Sequence, residues 1–276
     1  MRRMDLADLS TALGLLIMKR NLHFSSIAWR SELGLQREGN EDSGLIATNT
    51  IAVADGMGGY AGGEIASRTV IETLAKILPV IENSEIDTES RDEIFRASLE
   101  DMDLAIRQKC EARPELDGMG TTFTAFHLVG DSVSLLHIGD SRAYRIRGKK
   151  IERLSHDHTV VQELLDQGRI TPDEVSDHPQ RSFLTQALMG KANINPVLSL
   201  FPVEPGDIYL VCSDGLTNVV DEGKIAAAFS GNLQDSVNKL IDLTYQNGAP
   251  DNVTVIVAQI GNDKNEINPE MIGAAR

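Results

Sequence analysis

Residues 51–67, IAVADGMGGYAGGEIAS, constrain the fold more than any other stretch of the chain. The apolar run 51–54 leading into Asp55 reads as a buried strand. It breaks at Gly56, glycine recurs at Gly58, Gly59, Gly62 and Gly63, and a helical pattern opens at Glu64. A carboxylate is thus delivered to the end of a strand, beside backbone that no side chain shields. That corner offers a carboxylate oxygen and a main-chain carbonyl to one small ligand, and a hard cation suits the pair. A single Asp-Gly pair would read as a tight turn. Here the chain repeats the construction where IYLVCS runs into Asp214-Gly215.

The remaining pattern predicts strands at 29–35, 44–48 and 50–55, then helices at 63–81 and from 93 to 111. A run of short strands follows at 121–129, 132–139, 143–147 and 151–154. Gly130-Asp131 and Gly148-Lys149 separate members of that run, which reads as one antiparallel meander. Residues 155–200 differ in texture, with a short helix ending at Gly168 and a capping box at Thr171-Pro172-Asp173-Glu174. They read as a flap-like insertion beside a site, within a domain spanning 23–262. A strand at 208–213, helices at 221–229 and 233–247 and a strand at 253–260 close the domain, and 263–276 reads as a frayed tail. Strands and helices segregated in this way indicate α+β, with antiparallel sheets covered by helices.

The formal charge of −15, from 41 acids against 26 bases, disfavours nucleic acid and anionic membranes as partners. Cys110 and Cys212 are too few and too far apart for a disulfide framework or a cysteine-rich zinc site, so a reducing cytoplasm is the expected compartment. Arg2 and Arg3 precede the apolar segment 12–18, but Asp5 and Asp8 interrupt it and no small-residue cleavage site follows. Leu6, Leu9, Leu13, Leu16 and Ile17 share one helical face, and residues 1–22 are expected to be an extension peripheral to function.

Four aspartates share one setting. Asp55, Asp140 and Asp214 end apolar runs, and Asp251 begins one; Asp42, preceded by Glu41, starts another. Carboxylates at strand ends meet at one edge of a sandwich core, where their mutual repulsion raises their pKa values unless cations intervene. An all-oxygen donor set favours Mg²⁺ or Mn²⁺ over zinc. Two such ions roughly 3.5–4 Å apart activate a bridging water for in-line attack on a phosphate ester. Arg37, five residues before Asp42, is the natural fork for the phosphate.

These stretches resemble the metal-dependent Ser/Thr protein phosphatases of the 2C type, in their bacterial form. The matching segments are Arg37-Glu38-Gly39-Asn40-Glu41-Asp42, Ala54-Asp55-Gly56-Met57-Gly58-Gly59, Gly118-Met119-Gly120-Thr121-Thr122, His137-Ile138-Gly139-Asp140-Ser141-Arg142, Cys212-Ser213-Asp214-Gly215 and Pro250-Asp251-Asn252-Val253-Thr254. The resemblance implies two central antiparallel sheets flanked by helices on both sides (αββα), and hydrolysis of phosphoserine and phosphothreonine on proteins by a metal-bridging hydroxide. It implies that Asp55 bridges two ions, that Asp214 and Asp251 hold the first, and that the Gly56 carbonyl serves the second. Glu41 and Asp42 would act directly or through water, Arg37 would bind substrate phosphate, and Asp140 with Asp214 would form a weaker third site. The implied partners are phosphorylated proteins, among them a Ser/Thr kinase or its substrates, and the expected state is a monomer.

Many relatives carry a histidine straight after the Asp-Gly pair; here Met57 stands there, and Tyr60 where many bacterial relatives have histidine. His156, His158 and His178 lie in or near the insertion but read as surface histidines, so no residue is assigned as general acid. Two other readings compete. Gly56-Met57-Gly58-Gly59-Tyr60-Ala61 fits a dinucleotide fingerprint, but Asp55 would face an anionic pyrophosphate. A non-catalytic relative that only binds phosphoprotein is the other; every acid and Arg37 are present, so no decay of the site is visible. Cys212 lacks an arginine at the spacing a cysteine phosphatase needs and reads as a packed core thiol.

Overall fold

The computed structural model describes residues 22–59, 62–192, 194–195, 197–263 and 266–276. The peripheral extension expected at 1–22 lies almost wholly outside these residues, as does Tyr60. Strands β1 (His23–Glu32), β2 (Asp42–Ile46) and β3 (Thr50–Met57) lead into helices α1 (Gly62–Ile81) and α2 (Thr88–Ala112). Strands β4 (Gly120–Thr121), β5 (Phe123–Val129), β6 (Ser132–Ile138), β7 (Arg142–Arg147) and β8 (Lys150–Arg153) follow. The insertion carries α3 (Val160–Asp166) and a 3₁₀ turn, Pro172–Glu174, closed by the capping box expected from sequence. Then come β9 (Leu198–Pro202), β10 (Ile208–Cys212), α4 (Asp214–Thr217), α5 (Glu222–Ala228), α6 (Leu233–Gln246), β11 (Val253–Gly261) and β12 (Glu270–Gly273).

One sheet runs β1-β11-β10-β7-β8, and the other β12-β2-β3-β5-β6-β9 with β4 paired to β3; all pairings are antiparallel. Strand alternation builds the layers. On β3, Ile51 and Val53 point between the sheets while Ala52 and Ala54 pack under α1 and α2. On β11, Ile256, Ala258 and Ile260 face the inter-sheet core while Val253, Val255 and Val257 face α5 and α6. Strands buried on both faces read as continuous apolar runs, and four layers result: helices, sheet, sheet, helices. The αββα expectation holds.

Four expectations change. The run at 121–154 is not one meander: β5 and β6 belong to one sheet, β7 and β8 to the other. The chain crosses between them at residues 139–141, where Gly139 has φ +107° and a side chain there would strike Thr122. The first strand is His23–Glu32 rather than 29–35, because Gly34 (φ +77°) turns the chain where any Cβ would overlap the Asp251 carbonyl. Strand β9 was not anticipated. The C-terminal residues are not frayed: β12 pairs with β2 and buries Ile272. Among the described residues, no helix is long and apolar enough to cross a membrane.

Candidate active site

At one end of the inter-sheet layer the same alternation that buries aliphatic residues buries acids. Asp42 and Asp55 are direct Cα partners across β2 and β3, so both side chains leave the sheet on the face that carries Ile46, Ile51 and Val53. Ser213 follows Val211 on the corresponding face of β10. Its hydroxyl donates to Asp42 Oδ2 (2.7 Å) and accepts from the Thr254 amide (2.9 Å), linking the two sheets.

Backbone packing aims the remaining acids. The Asp55 amide donates to Thr122 Oγ1 (2.9 Å), and its carbonyl accepts from Thr121 Oγ1 (2.8 Å) and the Thr122 amide (2.9 Å). Gly56 is required where it stands, because a Cβ would overlap the Gly63 carbonyl at the start of α1. Asp214 opens α4 and accepts from Asn218 Nδ2 (2.8 Å). Gly215 lets α4 press onto the Asn252 carbonyl, which brings Asp214 beside Asp251. Asn252 is the staple of this corner: it accepts from the Glu41 amide (2.9 Å) and donates to the carbonyls of Leu33 (2.8 Å) and Gly39 (3.0 Å). Its position directly after Asp251 was the available sequence signal, and no role was read from it.

The result is a cavity of about 510 Å³ lined by Arg37, Glu41, Asp55, Gly56, Asp140, Asp214 and Asp251, with a wall from the insertion at 182–187 and Met189. It shares Arg37, Asp140, Asp214 and Asp251 with a groove of about 740 Å³ that continues under Val175 and Arg181 of the insertion. Of the expected site residues only Asp42 is absent from the lining. It is fully buried behind the pocket, a place that fits the second of its two expected roles, direct or through water; its Oδ1 has no hydrogen-bond partner. The insertion was expected beside the site, but its contribution of a whole wall was not.

The electrostatics are one-sided. Burial, only partly offset by the Ser213 hydrogen bond, pushes the Asp42 carboxyl up to about 7. Burial and then the charges of Asp42, Asp214, Asp140 and Asp251 hold Asp55 well above the usual range. Burial and the charge of Asp251 raise Asp214; burial and the charges of Asp214 and Asp157 raise Asp140 to about 7. Arg37 Nη2 donates to Asp251 Oδ2 at 2.6 Å, and that bond raises its own pKa. Arg142, the cation nearest Asp140 in sequence, is instead held with Arg153 on Asp157. Among the described residues, no three His, Cys, Asp or Glu side chains close into a compact ligand shell; the acids ring an open pocket.

Among the described residues no histidine lines that pocket. His156 pairs with Asp166 at 2.7 Å on the surface, and His178 Nδ1 accepts from the Gln180 amide. His158 stacks on half-buried His137 (centroids 5.0 Å apart) and accepts from the Gly139 amide (3.0 Å). Cys212 is a fully buried core thiol, as expected, and burial pushes it up to about 12.

Comparison with known proteins agrees with this geometry. A Ser/Thr protein phosphatase of Mycobacterium tuberculosis, PstP, is 41% identical over 251 residues, covering 90% of this chain and 47% of the relative. The chain therefore spans about half the length of that relative. A Ser/Thr phosphatase of Listeria welshimeri is 30% identical over 84% of this chain and 94% of its own length. The crystal structure of the M. tuberculosis phosphatase superposes with a TM-score of 0.78 over 86% of this chain and 98% of that one, at 41% identity. The PstP catalytic domain in complex with two manganese ions superposes with a TM-score of 0.78, at 39% identity over 87% of this chain and 99% of that one. Residues 40–242 match the family model described as protein phosphatase 2C, and the chain belongs to that family.

Proposed function

We propose that the chain is a protein-serine/threonine phosphatase that uses two divalent cations, Mn²⁺ or Mg²⁺, and a weaker third. One observation carries this reading: Asp55, Asp140, Asp214 and Asp251 line one pocket with Arg37 as its cation. The residues fit such ions. Every donor is oxygen, burial and then the neighbouring carboxylate charges raise the pKa of Asp55 and Asp214, and Asp42 Oδ1 is buried beside them without a partner. The two manganese ions held by the PstP catalytic domain support the same reading.

In this reading Asp55 would be shared between two ions, Asp214 and Asp251 would hold the first, and the Gly56 carbonyl would serve the second. Glu41 would act through water, Asp42 would orient from behind, and Asp140 with Asp214 would take the third ion. When bound, the ions supply Lewis acidity, lowering the pKa of water and neutralising phosphoryl oxygens. The chain's own residues do the positioning. Asp251 holds the Arg37 guanidinium over the pocket before substrate arrives, and its fork grips two phosphoryl oxygens. The hydrogen bond from the Thr121 hydroxyl to the Asp55 carbonyl and that from the Asp55 amide to Thr122 Oγ1 fix the Asp55 backbone, so the acid does not reorganise during the reaction. The groove beneath the insertion takes the polypeptide flanking the phosphorylated residue. The expected setting is a monomer opposing Ser/Thr kinases in the cytoplasm, where Cys110 and Cys212 stay free thiols.

The test is hydrolysis of a phosphothreonine peptide. Activity should require Mn²⁺ or Mg²⁺, vanish in chelator, return on adding Mn²⁺ and be poorly supported by zinc; full activity in excess chelator overturns the reading. Arg37→Ala should raise KM for the peptide by about tenfold and lower kcat less, because the fork acts already on bound substrate. An unchanged KM would detach Arg37 from the phosphate. Asp140→Ala should leave two tight cations in a calorimetric titration and a folded protein, with turnover down about tenfold. If it instead melts far lower in metal-free buffer and keeps full activity per folded molecule, Asp140 is structural.

A further inference from the structure

The helix α2 carries one charged residue that is itself buried. Asp103 is 2% exposed, in line with Phe95, Leu99, Met102 and Ile106. A carboxylate in such a layer is costly unless its oxygens are hydrogen-bonded. Here they are, and every partner is main chain from one distant turn. Oδ1 accepts from the amides of Met189 (3.0 Å) and Gly190 (2.7 Å), and Oδ2 from the amide of Ala192 (2.8 Å). That turn has no freedom of its own to hold this shape. Gly190 (φ +73°) lies so close to α2 that a Cβ would sit 2.7 Å from the Arg107 backbone, and Ala192 adopts φ +54° without being glycine.

What the turn terminates is the insertion-side wall of the active-site cavity. Leu188 exchanges both backbone hydrogen bonds with Thr121 (2.9 and 3.0 Å), the residue whose hydroxyl supports the Asp55 carbonyl. Upstream, the Thr185 amide donates to the His158 carbonyl and the Val160 amide to the Phe183 carbonyl. The wall is therefore pinned at its start by α3's entry, at Leu188 by β4, and at its end by the hydrogen bonds to Asp103.

We propose that Asp103 is a positioning residue that sets the place of the wall at 182–189, and through it the affinity for the polypeptide part of the substrate. Asp103 touches neither the phosphate nor the acids. Its loss loosens the end of the wall at Met189 and Gly190, while the Leu188–Thr121 pair stays and keeps the support of Asp55, so a substrate that meets only the acid end is indifferent to it. This inference rests on the phosphatase reading, and wild-type hydrolysis of p-nitrophenyl phosphate with Mn²⁺ tests that reading separately.

The experiment compares Asp103→Asn and Asp103→Ala with Gly190→Ala, which displaces the same turn from the other side. Each is assayed with p-nitrophenyl phosphate and with a phosphothreonine peptide, alongside melting curves and hydrogen exchange of the amides at 188–192. Asp103→Asn keeps one acceptor oxygen and turns a donor toward the Ala192 amide, so its effect should fall between wild type and Asp103→Ala. KM for the peptide should rise about tenfold in Asp103→Ala, with kcat and the p-nitrophenyl phosphate constants within about twofold of wild type. Exchange at Met189, Gly190 and Ala192 should quicken by about tenfold or more in Asp103→Asn. Two results overturn the proposal. One is a peptide KM unchanged in folded variants whose exchange has quickened. The other is equal loss with both substrates, which places the effect in the acid cluster or in folding at large. Should Asp103→Ala fail to fold, the Asp103→Asn and Gly190→Ala pair decides by the same readouts.

Discussion

Asp55→Asn should give a folded protein that hydrolyses a phosphopeptide at least about a thousandfold more slowly, yet melts higher than the parent when divalent cations are chelated. The two effects have one cause. Asp55 is buried against Asp42, and its carboxyl feels Asp214, Asp140 and Asp251 besides. Removing that charge relieves burial of an unfavourable anion and lowers the repulsion on every neighbour. An amide of the same shape keeps the Thr121 and Thr122 hydrogen bonds, which involve only the Asp55 backbone. The charge that destabilises the empty pocket is also the one placed to be shared between two cations, so its removal abolishes the reaction's electrostatics. Asp214→Asn should behave alike, since its carboxyl is raised by burial and by Asp251. Phosphopeptide kinetics and melting curves in chelator decide the matter. A variant that loses activity and also melts lower without metal would show that these acids are held by hydrogen bonds within the fold and not against mutual repulsion.

Most of the acids were legible from sequence because they are announced locally: at Asp55, Asp140 and Asp214 an apolar run ends in aspartate, in two cases followed by glycine, and at Asp251 an apolar run begins. What carried less signal is set by tertiary partners. Hairpin signals at 121–154 specify turns and strands, but nothing in them says that Gly139 hands the chain from one sheet to the other, which is what puts Asp140 at the pocket. Strands β9 and β12 are edge strands, short and partly exposed, so the periodicity that marks β3 or β11 is missing from both. Asp42 is expected at the metals, directly or through water, because it starts a strand within the family-like segment 37–42. Across from Asp55 it lies deeper than that residue, where Ser213 engages it. Asp103 was invisible for a different reason. Within α2 it looks like one of many polar residues, and its partners are amides 86 to 89 positions away.

The stabilisation conferred by Mn²⁺ should grow steeply with pH, because protons and cations compete for the same oxygens. Asp42 and Asp140 have folded pKa values of about 7, far above their unfolded range. Between about pH 4 and pH 7 the folded, metal-free protein therefore binds more protons than the unfolded chain, and its stability falls as pH rises through that window. Fully buried His127 and half-buried His137 act the opposite way. Burial lowers both to about 4, so the unfolded chain takes up protons below about pH 6.5 that the folded protein refuses, and stability falls as pH drops toward 4. In metal-free buffer the two trends oppose each other between pH 4 and 6.5, leaving a shallow profile. Cations hold the acids deprotonated and remove the first trend, so the loaded protein should lose stability on acidification without compensation. The rise in melting temperature on adding Mn²⁺ should then be larger at pH 8 than at pH 5.5, by about 5 °C for each carboxyl proton displaced. Proton release on metal binding, read by calorimetry in buffers of different ionisation enthalpy, should follow the same course. An equal melting shift at both pH values would mean that the acids are already ionised in the empty pocket, and the raised pKa values of Asp42 and Asp140 would be wrong.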